Sequence, residues 1–98
     1  MTKRFKIEKG SGNVFFDVGF PPGEAQNLLM RAELMLSIEQ FVRKSGMTQK
    51  DAARALGVTQ PRLNLLLKRR IELFSLDALV NMATRAGMKV KLTVKKAA

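Results

Sequence analysis

Met47-Thr48-Gln49-Lys50-Asp51-Ala52-Ala53-Arg54-Ala55-Leu56-Gly57-Val58-Thr59-Gln60-Pro61-Arg62-Leu63 is the stretch from which the rest of the chain can be read. Thr48 is a good N-cap for a short helix, and Asp51 stands at its third position, where a carboxylate suits the positive end of the helix. Gly57 supplies a turn. Thr59 caps a second helix, and Pro61 falls in its first turn, where a missing N–H does little harm. Two short helices joined by a glycine-containing turn are the helix-turn-helix plan, in which the second helix enters the major groove of DNA. The spacing carries steric meaning. Ala52 and Ala53 fall where the two helices touch, and a larger side chain at Ala53 would push them apart. Gly57 tolerates positive φ, and Val58, Leu63 and Leu66 fall where the second helix must plug the core.

Outward from this centre the chain is helical on both sides. From Glu24 to about Lys44, the residues Leu28, Ala32, Met35, Ile38 and Val42 recur at helical spacing, and Leu29, Leu34 and Phe41 widen that stripe. The spacing predicts a long helix ending at Gly46, whose second stripe suits either the core or an interface. Leu63, Leu66 and Leu67 turn inward on the second short helix, which runs out in Lys68-Arg69-Arg70. Ser75 begins a further helix with Leu76, Leu79, Val80 and Ala83 as its buried set, and Gly87 stops it. The methionines Met30, Met35, Met82 and Met88 lie on apolar faces, as adaptable filler.

Both ends differ. Residues 1–23 hold a short alternating piece at 5–7, a Gly10-Ser11-Gly12 joint and an aromatic stretch at 13–20 that closes at Pro21-Pro22. Alternation there permits a brief strand, and Phe15, Phe16 or Phe20 is expected to dock on the helices or on a partner. At the other end Met88, Val90, Leu92 and Val94 alternate with Lys89, Lys91, Thr93 and Lys95, the pattern of a half-buried strand with a basic outer face. Such a strand needs residues 5–7, a second copy or another protein to pair with. The organisation expected is an extended arm at 1–23, a helix-turn-helix domain at 24–87, and a strand with a basic tail at 88–98. The fold class is mainly α, with four to five helices and a short C-terminal β-strand.

Composition narrows the function. The 98 residues suit one core, and 18 Lys and Arg against 8 Asp and Glu give a formal charge of +10, which favours a polyanionic partner. The chain has neither Cys nor His, which removes thiolate and imidazole metal sites, Cys nucleophiles and His-based triads. Asp17, Glu33 and Glu39 show no paired-carboxylate pattern, and the glycine cluster lacks the spacing of a nucleotide loop. An enzyme is therefore not expected, nor a cofactor or metal. No apolar stretch approaches the ~20 residues that span a bilayer, and no signal-peptide pattern follows the charged start. A cytoplasmic protein is expected. Between residues 43 and 70 eight basic residues stand against one acidic, which reads better as a phosphate-binding footprint than as a merely solubilising face. Lys89, Lys91, Lys95 and Lys96 serve equally well to guard a strand edge.

The 47–63 stretch resembles the Cro/C1-type (Xre-like) helix-turn-helix proteins, closely over residues 46–70 and more loosely over a five-helix, lambda-repressor-like domain. By position, the resemblance implies that Gln49 and Thr59 contact phosphates and that Gln60 reads a base edge. Gln matches adenine N6 and N7 bidentately, worth roughly 1–3 kcal/mol of discrimination. Pro61 stands where the family commonly has a polar residue and leaves a thymine methyl as its contact. Arg62 and Asn64 face the groove or its wall, Leu65 adds an apolar base contact, and Lys68 and Arg69 belong to the phosphate footprint. Ser11-Gly12-Asn13-Val14-Phe15 followed by Gly19-Phe20-Pro21 is similar to a subgroup of small regulators that serve as antitoxins to RelE/HigB-like toxins. That likeness implies a repressor of its own operon, acting as a homodimer on double-stranded DNA at an inverted repeat. A stand-alone regulator, a non-specific architectural DNA-binding protein and an interaction module that lost DNA binding are the other readings.

Overall fold

The computed structural model describes residues 13–96. The joint at 10–12 and the short piece at 5–7 both lie outside them. Among the described residues there are five α-helices and one 3-10 turn: α1 (Val14–Asp17), α2 (Pro22–Ser45), α3 (Gln49–Leu56), α4 (Gln60–Leu67), the turn Ile71–Leu73 and α5 (Leu76–Arg85).

The 24-residue α2 is the spine. It begins at Pro22 rather than Glu24, because a proline at the first helical position gives up an N–H that would have no partner anyway and arrives with a helical φ. Glu24 in its first turn and Arg43 and Lys44 in its last complement the helix dipole. Its buried side chains are Ala25, Leu28, Met35, Ile38, Glu39 and Val42, one face at spacings of three and four. Of the second stripe, Leu34 and Phe41 pack half-buried against the core.

Within the N-terminal segment, where a brief strand is expected, residues 14–17 form the helical turn α1 instead. The reason is local: the Asn13 side chain accepts hydrogen bonds from the Phe15 and Phe16 N–H groups at 3.0 and 3.3 Å, a capping interaction that periodicity cannot register. The Phe20 N–H then returns to the Phe15 carbonyl, and the two rings meet edge to face at 6.1 Å. Phe15 docks as expected, lining a cleft with Met35, Leu36 and Ile71. Phe16 and Phe20 stay exposed.

One core joins the helices. Phe74, Ile38, Leu56, Leu63, Leu66 and Leu79 are its largest fully buried members, completed by Met35, Val42, Ala52, Ala53, Met82 and Ala83. On α5 the buried set is Leu79, Met82 and Ala83, and the expected Leu76 and Val80 are only half-buried. Arg31 ties the spine to the segment before α5, donating from Nη1 to the carbonyls of Ile71 and Phe74 at 3.3 and 3.1 Å.

The expected C-terminal β-strand is not formed: among the described residues there is no strand. After Gly87, residues 88–96 run without regular structure. Met88 packs on the core, but Val90, Leu92 and Val94 are 39, 73 and 84% exposed. The alternation is real, yet a strand exists only as a pair. The one intramolecular candidate, residues 5–7, lies outside the described residues.

Candidate nucleic-acid interface

The two helices of the motif are set by their caps. Thr48 has extended backbone and its Oγ1 accepts from the Asp51 N–H at 3.1 Å, which starts α3. Ala52 and Ala53 are buried at 0 and 2% exposure, small side chains on the inner face of α3, which packs on α4 and α5. Gly57 ends α3 at φ +76°. Its N–H donates to the Arg54 carbonyl and the next N–H, of Val58, to the Ala53 carbonyl, which is the Schellman arrangement. The flexible end of the Arg85 side chain of α5 lies where a Cβ at position 57 would project and could swing aside, so the preference for glycine rests on the left-handed backbone. Thr59 then starts α4, accepting from the Arg62 N–H at 3.3 Å.

With Leu63 and Leu66 plugged into the core, α4 turns Gln60, Pro61 and Asn64 to solvent, followed by Lys68 just past its end. These residues share one face, by the spacing of four between Gln60, Asn64 and Lys68. Gln49 is exposed at the first position of α3, as Gln60 is at that of α4. Thr59 is exposed, with its hydroxyl already serving as the cap. Leu65 is half-buried and packs against the core.

Two of the expected contact residues have protein partners. Arg62 lies over the Phe74 ring, its guanidinium carbon 4.3 Å from the ring centroid, and Nη2 donates to the Leu73 carbonyl at 3.2 Å. It reaches the rim of the α4 face from a fixed seat. Arg69 has positive φ, +62°, the only such non-glycine residue among those described. Its N–H donates to Leu66 and that of Arg70 to Leu65, the same Schellman geometry that glycine provides at position 57. The Arg69 guanidinium lies against Glu39 of α2, with Nε 3.4 Å from Oε1 and Nη2 3.4 Å from Oε2.

The sequence offers Glu39 only as a carboxylate without a catalytic partner, and its role in the fold was missed. It is buried at 4% exposure and also accepts from Arg43 Nη2 at 2.6 Å. Burial by itself raises the pKa of this carboxyl, but the hydrogen bonds from Arg43 and Arg69 and their positive charges outweigh it and hold the group below its ordinary value. The Glu39 to Arg43 spacing of four is a legible helical ion pair. Arg69, thirty residues further on, is not. Phe74, Arg31 and Arg85 likewise support the motif from outside it.

The geometry defines a helix-turn-helix unit whose outer helix is exposed along one polar row. The helix-turn-helix domain family matches residues 14–95, and the chain belongs to it. No curated protein matches the chain. A solved structure named "Putative XRE Family Transcriptional Regulator" has the same fold, with a TM-score of 0.69 at 22% identity, over 76% of this chain and 83% of that one. No helix of the described residues is long and apolar enough to cross a membrane.

Proposed function

We propose that the chain is a sequence-specific DNA-binding transcriptional repressor that acts as a cytoplasmic homodimer on an inverted repeat, with α4 in the major groove. The observation that carries this reading is the outer row of α4, where Gln60, Pro61 and Asn64 stand exposed on a helix whose other face is locked into the core. Gln60 reads an adenine edge, Pro61 meets a thymine methyl, and Asn64 with Arg62 faces the groove wall. Gln49, Thr59 and Lys68 hold phosphates from the helix ends, and Leu65 supplies an apolar flank. One α4 reads only a few base pairs, and two copies a helical turn apart supply the remaining specificity. The domain proper is residues 24–87, carried between an arm and a basic tail.

Within this reading the chain is the antitoxin of a toxin-antitoxin pair and represses its own operon. The likeness of residues 11–15 and 19–21 to such regulators supports this. So does the apolar surface left open at Phe16 and Phe20 and along Val90, Leu92 and Val94, which suits a RelE/HigB-like toxin.

The test is an anisotropy titration of the protein into labelled DNA from upstream of its own gene and into a shuffled duplex, at two salt concentrations. A preference of ~10³-fold or more for the upstream DNA is expected of a specific regulator. Equal, steeply salt-dependent binding to both would make it an architectural protein instead. A toxin partner is tested by co-purifying the product of the adjoining gene with the whole chain and with one lacking residues 1–23.

A further inference from the structure

Glu39 is the one buried charged residue among those described, and both of its partners stand mostly in solvent. The side chains of Arg43 and Arg69 are 70 and 68% exposed against 6% for Glu39. Arg43 is one turn along α2, whereas Arg69 lies two residues past the end of α4 in a backbone conformation that glycine would adopt more readily. An arginine retained there, with its guanidinium turned back onto a carboxylate from another helix, is held by that carboxylate.

The consequence is electrostatic. Arg69 gives its Nε and Nη2 edge to Glu39, the same side-on fork with which arginine grips a phosphate. In a chain of formal charge +10, attraction to any phosphate backbone is the contribution most in need of restraint, because it is blind to sequence. From this geometry we infer that Glu39 is a positioning residue of the DNA-binding surface: it draws the Arg43 and Arg69 guanidiniums away from the phosphate backbone and fixes the exit of α4, restraining sequence-independent binding. The inference rests on the DNA-binding reading above.

The experiment measures the dependence of log Kd on log salt for upstream and shuffled duplexes, with the wild type, Glu39→Gln, Arg69→Gln and the double variant. Each phosphate contact contributes about 0.9 to that slope. Glu39→Gln is expected to steepen it by about 1 to 2 and to tighten the shuffled duplex more than the upstream one, so that the ratio of the two falls. Arg69→Gln should leave the wild-type slope nearly unchanged but remove about 0.9 in the Glu39→Gln background. A purely structural ion pair would change melting temperature and leave the slopes alone. A folded Glu39→Gln protein with the wild-type slope overturns the inference. Should Glu39→Gln fail to fold, Glu39→Asp, whose carboxylate is one methylene shorter, takes its place: a steeper slope supports the inference, and the wild-type slope overturns it, as does a loss of about 0.9 in Arg69→Gln alone. Wild-type protein that binds neither duplex removes the DNA-binding reading itself, a result distinct from all of these.

Discussion

Phe74→Leu tests whether α4 and the core are coupled through Arg62. Phe74 is 1% exposed at the centre of the core, and a leucine in its place keeps most of the volume and loses the ring, at a cost of up to about 1.5 kcal/mol. The ring also faces the Arg62 guanidinium at 4.3 Å. Because Arg62 is only half-buried, that cation-π contact adds about 0.5–1 kcal/mol. Together the loss is about 2 kcal/mol, which for a domain of this size lowers Tm by about 8–16 °C. The chain has neither Trp nor Tyr, so thermal and urea unfolding are followed by far-ultraviolet circular dichroism. A double-mutant cycle with Arg62→Met isolates the contact, and its coupling energy should be about 0.5–1 kcal/mol. Strictly additive losses would refute the coupling and reduce Arg62 to a solvated side chain that merely passes over the ring.

Gly57→Ala places a Cβ on a left-handed backbone and displaces the flexible end of the Arg85 side chain. It should cost about 1–2 kcal/mol or more by urea unfolding, and an unchanged midpoint would count against the turn geometry described. Gln60→Ala should weaken binding to the upstream duplex by about 1–3 kcal/mol and leave the shuffled duplex unaffected. Equal losses on both would place Gln60 on the phosphates instead. The depressed pKa of Glu39 stabilises the fold at pH values above the unfolded carboxylate's range, and this contribution is lost as pH falls through the lowered folded value. Tm of the wild type should therefore drop on acidification more than that of Glu39→Gln, and parallel curves would show that the ion pair contributes nothing to stability.

The motif was legible because its determinants are local. Thr48, Thr59 and Ser75 cap within three residues of themselves, and Leu63 and Leu66 reveal their inward face by spacing alone. Position 13 was equally local, but its cap is a side-chain hydrogen bond that the spacing of apolar residues does not register. The tail failed for the opposite reason: Val90, Leu92 and Val94 carry the right period, and pairing is a property of two segments. Glu39 with Arg69, and Arg31 with the carbonyls of Ile71 and Phe74, join residues thirty to forty-three apart. Nothing in either local sequence announces the other, so the site's outer row was visible from sequence while the seats beneath Arg62 and Arg69 were not.

The tail beyond Gly87 has lysines at 89, 91, 95 and 96, all exposed on a segment with no regular hydrogen bonding. Trypsin needs a susceptible bond in an accessible, extended segment that can fit its cleft, and here several such bonds follow the last helix within a few residues. Limited digestion would thus shorten the chain at this end before it reached the lysines and arginines held within the helices, leaving the folded body of the domain intact in the tube.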